Sequence, residues 1–246
     1  MAHPEDHFSA IAAQYSRSRI GYPEELYRFL AAQCHGRDLA WDCGTGSGQA
    51  ALDLVRIVAN VIATDISGEL LALAPPHARV SFRVAPAEAS GIAPGTVDLI
   101  AVAQAIHWFD LDLFWAEARR VLKPGGVVAY WGYMWPVVDP EVDRVLADFR
   151  AMIAPSWPVR SVIAHEGYRS ICSPFREIEC PAFTATARWN LDEYLAHLRS
   201  WSATRYFVER TETDVVSRFT SSFRDVWPGD RASVHWPITL RASRKE

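Results

Sequence analysis

The sequence predicts an α/β fold: a doubly wound, mostly parallel sheet of seven strands, with helices on both faces and a small cap built from the C-terminal half. Three observations predict it. Short β-like runs alternate with helix-like runs from about residue 37 to residue 133, the pattern of parallel strands joined by helical crossovers. A glycine-rich turn follows the first of these strands. The 246 residues, 50% of them hydrophobic, suffice for one domain with a full-sized core.

The elements of the first half follow from hydrophobic periodicity and from turn residues. Residues 8–22 read as a lead-in arm, and residues 23–33 as a helix. Apolar residues recur at helical spacing from 51 to 58, and further helices are expected after Ser67 and after Asp110, which can cap them. The five strands of this part are predicted at residues 39–42, 61–64, 79–84, 97–102 and 127–131.

The second half is less regular. Residues 140–152 predict an amphipathic helix, which the prolines near residue 155 end. A strand is expected at 175–188, a helix at 192–199 and a last strand at 233–242. These two strands bring the predicted sheet to seven.

The composition excludes several classes of protein. With 25 basic residues against 29 acidic ones, the chain lacks the positive field that binding to a nucleic-acid backbone needs. Its four cysteines form no CxxC pair, fit neither a zinc site nor a disulfide framework, and favour a reducing, cytoplasmic compartment. No stretch approaches the roughly 20 apolar residues of a membrane span, and the N-terminus does not read as a secretory signal. We expect no metal, nucleic-acid or membrane partner, with monomer and homodimer both open.

Polar residues follow three of the predicted strands. The turn Gly44–Gly48 has the spacing GxGxG and presents backbone N–H groups at the start of a helix. Asp42 precedes it, and a carboxylate there repels a pyrophosphate but suits an ammonium group. Asp65 lies at the tip of the second strand, where an acid grips ribose hydroxyls in doubly wound folds. Glu88 follows the third strand. Because these tips meet at one edge of the sheet, the acids outline a ligand with an ammonium end, a ribose and an adenine. The alternatives are that Asp42 is an ordinary polar strand end, that Asp65 starts a turn and that Glu88 is a solvated loop acid.

Motifs along this half resemble the class I S-adenosylmethionine-dependent methyltransferases, which implies a Rossmann-like fold. The motifs are, in chain order, WDCGTGSGQ at 41–49, TDIS at 64–67, AE at 87–88, VDLI at 97–100 and RVLKPGG at 120–126. Within that class, QAIHWFD at 104–110 and the lead-in arm from Tyr15 to Pro23 resemble the methyltransferase type 11 group that includes trans-aconitate methyltransferases. The arm has Ile20 where that group usually has proline.

The resemblance implies S-adenosyl-L-methionine as the cofactor. It assigns residues 42–48 to the methionine part, Asp65 to the ribose, Ile66 to one face of the adenine, and the arm to covering the cofactor, with Arg19 on its carboxylate. The implied cofactor residues are Tyr15, Arg19, Asp42, Cys43, Gly44, Thr45, Gly46, Gly48, Asp65, Ile66, Ala87, Glu88, Ala103 and Gln104. Three parts are expected: an arm and helix at 1–35, a cofactor-binding core at 36–135, and a substrate cap with the final strands at 136–246.

The acceptor side is predicted more coarsely. His107, just past the fourth strand, is a candidate general base, with a structural histidine holding the turn as the alternative. The residues expected to line the substrate pocket are Trp108, Tyr133, Trp135 and Arg205. Trp108 has an alternative role in packing the next helix, and Tyr133 is a second candidate base. Arg160, Arg169 and Arg205 are candidates to pair with an anionic acceptor.

These residues predict transfer of a methyl group to a small molecule by in-line displacement, with catalysis mainly by positioning. An oxygen acceptor, carboxylate or hydroxyl, is favoured because residues 103–106 lack the Asn/Asp-Pro-Pro-Tyr/Phe run of enzymes that methylate exocyclic amines. The alternatives are a nicotinamide-dependent oxidoreductase, disfavoured by the GxGxG spacing and by Asp42, and a cofactor-binding protein without catalysis.

Overall fold

The structure, a computed structural model, describes residues 20–246. Its strands are β1 (Leu39–Cys43), β2 (Asn60–Asp65), β3 (Val80–Val84), β4 (Val97–Ala103), β5 (Leu122–Tyr133), β6 (Arg176–Ile178), β7 (Phe183–Trp189) and β8 (Ala232–Arg244). Its α-helices are α1 (Glu24–Gln33), α2 (Gln49–Leu54), α3 (Gly68–Leu71), α4 (Leu111–Val121), α5 (Pro140–Ile153), α6 (Ser161–His165), α7 (Leu191–Ser200), α8 (Ser202–Thr211) and α9 (Val215–Val226). Short 3₁₀ helices lie at Ile106–Trp108 and Ala154–Ser156.

The sheet is the mixed, mostly parallel one that the sequence predicts. Its order is β3-β2-β1-β4-β5-β8-β6, and β7 also pairs with β8. Strands β1 to β5 pair in parallel, whereas β8 runs antiparallel to β5, β6 and β7. The predicted seven-stranded, doubly wound arrangement is therefore confirmed, with the seventh position shared by β6 and β7.

The single strand expected at 175–188 is wrong in detail, because it is broken into β6 and β7. Pairing with β8 passes from Ile178 opposite Ala242 to Phe183 opposite Ile238, so the broken strand carries one extra residue. Pro181 lies in the break, and proline has no N–H to donate to a ladder. The interruption lets β7 follow the far end of β8, beyond the end of β5.

Side chains alternate between the two faces along each strand, so both faces of the sheet have side chains on which helices pack. On one face, Trp131 of β5 is fully buried in a core that includes α1 and α2. On the other face, Trp41 of β1 and Tyr130 of β5 pack with Phe114 of α4. Helix α4 begins where the sequence predicts, since the Asp110 carboxylate accepts a hydrogen bond from the Leu113 N–H at 3.2 Å.

A second layer, which we call the cap, consists of α5, α7, α8 and α9. Phe149 of α5 and Phe223 of α9 are fully buried where these helices meet. The helix predicted at 140–152 is confirmed as α5 and the one at 192–199 as α7, but α8 and α9 were not predicted. In α8 only Ala203 and Thr204 are buried, so this helix has no apolar stripe that a periodicity argument detects.

Within residues 20–246, no helix combines the length and the apolar character that crossing a bilayer requires. The four cysteines are all thiols. No group of three or more metal-ligating side chains occurs in the described part of the chain.

Candidate active site

The tips of three strands meet at the carboxyl edge of the sheet. In the register of the parallel ladders, Cys43 of β1 pairs with Thr64 of β2, and Asp42 of β1 pairs with Ala101 of β4. Residues that follow these positions by one or two steps therefore lie side by side. The sequence motifs at the ends of β1, β2 and β4 thus belong to one site.

The glycine-rich loop needs its glycines. Gly44, Gly46 and Gly48 have φ of 71°, 57° and 84°, in the left-handed region that side chains disfavour. A Cβ on Gly44 would lie 2.5 Å from the Ala105 Cβ, so the loop backbone touches the turn after β4. The Gly44 position therefore has no room for a side chain where the loop meets this turn.

The loop is fastened to β2 by backbone and side-chain bonds. The N–H groups of Gly44 and Thr45 both donate to the Thr64 carbonyl, at 2.8 and 2.9 Å. One oxygen of the Asp65 carboxylate accepts from the Gly46 N–H at 2.8 Å, and the other accepts from the Ser67 N–H at 2.9 Å. Asp65 therefore shapes the loop.

Asp42 is fully buried under the loop, where the Thr45 hydroxyl donates to its Oδ2 at 2.5 Å. The neighbouring Cys43 side chain points into the core on the α4 face, and burial raises the pKa of its thiol well above the ordinary value. The Cys43 side chain therefore belongs to the core, whereas the Asp42 carboxylate is bonded to the loop.

An apolar rim borders the acids. Ile66, just after β2, is 59% exposed, which is unusual for a large aliphatic side chain at a strand tip. Ala87 is buried, and the half-buried Glu88 accepts a hydrogen bond from the Asp110 N–H at 2.8 Å. Glu88 thus holds the start of α4 in addition to lying near the rim, a role that the sequence analysis did not contain.

The tip of β4 carries a strained residue. Gln104, next to Ala103, has φ of 57°, and its N–H donates to the Trp131 carbonyl at 2.8 Å. A left-handed conformation in a residue other than glycine costs of order 1–3 kcal/mol and is retained where the surroundings impose it. The result is that the Gln104 side chain lines the cavity described below.

His107 lies in the 3₁₀ turn just after Gln104. It is 9% exposed, and within residues 20–246 its Nδ1 is buried without a hydrogen-bond partner. Burial lowers the pKa of His107 to about 4, and the positive charges of His165 and Arg160 act in the same direction. The imidazole is therefore neutral near pH 7 and has a free nitrogen toward which a proton can move.

Next to this turn lies a cavity of about 210 Å³. Its aromatic walls are Trp108, Tyr133, Trp135, Trp157, Trp201 and Trp236. Its polar side chains include Gln104, His107, His165, His197 and Arg205. All four residues predicted for the substrate pocket lie in these walls, whereas Arg160 and Arg169 are not among the lining residues of the described chain.

Three of the tryptophans form what we call the indole cluster: Trp135, Trp157 and Trp201. Their ring centroids lie 5.4–5.9 Å apart. The imidazole of His165 packs on Trp135 and Trp157 at 4.4 and 4.3 Å, and burial, with a smaller effect of the Arg150 charge, lowers its pKa to about 4. The sequence analysis named Trp135 of this cluster for the pocket, but no signal identified His165.

Arg150 stands behind the indole cluster. Its guanidinium carbon lies 3.7 Å from the centroid of the Trp135 ring, which is a close cation–π contact. Its Nε is shielded from solvent and has no hydrogen-bond partner within the described residues, and burial lowers its pKa. The side chain nevertheless carries a positive charge at any ordinary pH.

The first described residues close one side of the cavity. Ile20 lines it, and the Ile20 carbonyl accepts hydrogen bonds from the Tyr133 hydroxyl and, at 2.7 Å, from the Gln49 side chain. The Tyr22 ring stacks on Tyr133 with centroids 5.0 Å apart. Tyr133 therefore donates its proton to a carbonyl and acts as a wall. The predicted cofactor residues Tyr15 and Arg19 lie outside the described residues.

Comparisons with known proteins bear on this site. A family described as a methyltransferase domain matches residues 41–130. A solved structure from Anaeromyxobacter dehalogenans, provisionally assigned as a type II methyltransferase, is 41% identical, covers 92% of this chain and 97% of its own, and superimposes with a TM-score of 0.87. A provisionally assigned methyltransferase from Dictyostelium discoideum is 29% identical over 98% of this chain and 96% of its own. CRG1 of Saccharomyces cerevisiae, provisionally assigned as an S-adenosylmethionine-dependent methyltransferase, is 30% identical over 51% of this chain and 46% of its own.

Proposed function

The chain belongs to the class I S-adenosylmethionine-dependent methyltransferases, and from that premise we propose that it methylates an oxygen atom of a small molecule held in the tryptophan-walled cavity. The observation that carries the proposal is the turn after β4. Its residues Gln104 and His107 line the cavity, and Ala105 touches the backbone of the glycine-rich loop at Gly44. One turn therefore separates the cofactor side of the edge from the acceptor side.

The residues of the edge fit S-adenosyl-L-methionine. The bare backbone at Gly44 and the buried carboxylate of Asp42 suit the methionine part, whose ammonium group needs an acceptor. A carboxylate such as that of Asp65 can accept hydrogen bonds from ribose hydroxyls, and the exposed face of Ile66 suits a flat adenine. The remaining predicted contacts, at Tyr15, Arg19, Cys43, Thr45, Gly46, Gly48, Ala87, Glu88, Ala103 and Gln104, are part of the same proposal.

When bound, this cofactor supplies a sulfonium methyl group that is already activated toward an oxygen nucleophile. The chain's own contribution is to orient the acceptor and to exclude water, which the closed aromatic walls favour. A carboxylate acceptor needs no base. A hydroxyl acceptor would pass its proton to the neutral His107, whose Nδ1 has no partner within the described residues.

The proposal extends to the organisation of the chain. Residues 1–35 would cover the cofactor, 36–135 would bind it, and 136–246 would supply the acceptor cap and final strands. The four thiols support a cytoplasmic enzyme, and the acidic charge balance supports small-molecule rather than nucleic-acid partners. Monomer and homodimer fit this proposal equally.

The cofactor is tested by calorimetric titration of the purified chain with S-adenosylhomocysteine and, separately, with NADH. We expect binding of S-adenosylhomocysteine at one site per chain and no binding of NADH. Uptake of NADH alone would overturn the proposal in favour of hydride transfer. Catalysis is tested by a screen of carboxylic acids, phenols and amines for release of S-adenosylhomocysteine, in which turnover of amines alone would contradict the oxygen acceptor.

A further inference from the structure

We propose that the acceptor is a small planar aromatic anion, such as an aryl carboxylate, with its ring against the indole cluster and its charge toward Arg205. This inference rests on the proposed function, since it names the class of molecule that the same cavity takes. Three properties of the cavity support it: its ring surfaces, its charge and its size.

The ring surfaces are concentrated on one side. Trp135, Trp157 and Trp201 contact one another and, together with His165, present four flat faces and edges to the same cavity. Aromatic rings gain about 0.5–1.5 kcal/mol per pair from offset or edge contacts beyond the burial of area. A planar ring gains this energy from several partners here, whereas an aliphatic chain of equal area gains only from burial.

The charge of the cavity is positive. Among its lining residues from the described part of the chain, none is an aspartate or glutamate, and Arg205 is a lining residue. Arg150 adds a second positive charge directly behind Trp135. His107 and His165, with pKa values lowered to about 4, are neutral near pH 7. The charges of the described lining residues therefore favour an anion over an ammonium ion.

The charge of the cavity decides between an aromatic anion and an ammonium group as the ligand. Cages of tryptophan and tyrosine bind quaternary ammonium groups through the negative faces of the rings. Here the guanidinium of Arg150 already occupies one face of Trp135, at 3.7 Å from the centroid. One face of Trp135 is therefore already used for an internal cation–π contact and does not serve a cationic ligand.

The size of the cavity limits the ligand to a small one. Its volume of about 210 Å³ lies below the roughly 300–1,000 Å³ of pockets for drug-sized ligands. A single ring with a short acidic arm suits this volume, and a fused polycyclic acid does not.

The test is a calorimetric comparison of three matched probes on the full chain saturated with S-adenosylhomocysteine: 3-phenylpropanoate, 3-cyclohexylpropanoate and 3-phenylpropylammonium. We expect the aryl acid to bind at least tenfold more tightly than either of the others. Equal binding of the cyclohexyl acid would overturn the aromatic part of the inference. Equal or tighter binding of the ammonium probe would overturn the anionic part.

Variants assign the charge to a residue. Arg205→Gln should weaken binding of 3-phenylpropanoate at least tenfold and leave binding of the neutral 3-phenylpropanamide within twofold, and Arg205→Lys should restore most of the loss. Arg218→Ala, on the exposed side of α9, is the control for removing a positive charge elsewhere. A loss for acid and amide alike would contradict the assignment.

Binding of S-adenosylhomocysteine, measured on every variant, separates the two proposals. Its failure in the parent chain removes the proposed function, whereas intact binding without acid preference removes this inference alone.

Discussion

Single residues set the shape of the cofactor edge, and Asp65 is the clearest case. Its two carboxylate oxygens hold the Gly46 and Ser67 N–H groups, which fixes the loop before any ligand arrives. A hydrogen bond to a charged group contributes about 1.5–3 kcal/mol. We expect Asp65→Ala to weaken binding of S-adenosylhomocysteine by tenfold or more in calorimetry. Asp192→Ala, an exposed acid in the first turn of α7, should leave the affinity unchanged, and equal affinities in all three proteins would contradict the role of Asp65.

Gln104 is the second residue with a sharp prediction, because its backbone is strained. Gln104→Gly and Gln104→Ala both remove the amide side chain, but only glycine adopts a φ of 57° without a steric penalty. We expect the glycine variant to be more stable than the alanine variant by about 1 kcal/mol in urea unfolding. Both should lose methyl transfer activity if the side chain positions the acceptor. A glycine variant that is less stable than the alanine variant would show that the left-handed conformation carries no strain.

Residues of this kind differ in how far the sequence reveals them. Asp42 and Asp65 are predictable because each lies at the end of a strand that its hydrophobic run locates, so the role depends on local sequence. His165 and Arg150 are not, because they meet at Trp135 from separate helices of the second half. Their function depends on long-range packing, for which a single sequence contains no periodic signal.

At the scale of elements, the short helix α6 connects the second half of the chain to the 3₁₀ turn that contains His107. The Arg160 guanidinium, just before α6, donates to the Trp108 carbonyl at 2.6 Å. Because Trp108 and His107 belong to the same 3₁₀ turn, this bond fixes the turn relative to the acceptor cavity. Arg160→Ala should raise KM for the acceptor several-fold and leave the affinity for S-adenosylhomocysteine unchanged. Arg169→Ala, on an exposed neighbouring arginine, is the matched control, and equal KM values for the two variants would contradict the bracing role.

The elements also show where sequence patterns end. The buried run of β4 and the capped start of α4 are confirmed, because each contains its own signal. Helix α8 has no strong apolar stripe and depends on packing against its neighbours, whereas α9 has an apolar stripe, with Val215, Val216 and Phe223 buried, that the sequence analysis missed. The break between β6 and β7 depends on which partner strand each half finds, which local sequence does not encode.

At the scale of the whole molecule, the fold divides the work between local and distant sequence. Residues 39–133 build the five parallel strands, with crossovers between neighbouring strands except from β3 to β4, which passes over β2 and β1, and this part followed from pattern alone. The cap and β8 return from far along the chain to complete the sheet and to enclose the cavity. The cofactor edge is built from motifs that lie close together in the sequence, and these motifs predicted it. The acceptor cavity is built from distant segments, so the sequence predicted only a few of its residues.

The two buried histidines, His107 and His165, predict how the stability of the whole molecule depends on pH. His107 is neutral in the folded protein with a pKa of about 4, against about 6.5 in an unfolded chain. Between these values the unfolded chain binds a proton that the folded one does not, so the free energy of unfolding falls as the pH falls from 6.5 toward 4. The slope for this group approaches roughly 1.4 kcal/mol per pH unit inside that window, and His165 acts in the same direction.

The measurement is urea unfolding of the parent chain and of His107→Phe at pH 7.5 and at pH 5.0. The variant keeps an aromatic ring in the buried site but cannot take up a proton, so its loss of stability between the two pH values should be smaller than the parent's by about 1–2 kcal/mol. The comparison at pH 7.5, where the parent histidine is neutral in both states, isolates the packing change of the substitution. Equal losses in the two proteins would mean that His107 is not held neutral by burial, and a larger loss in the variant would reverse the sign of the argument.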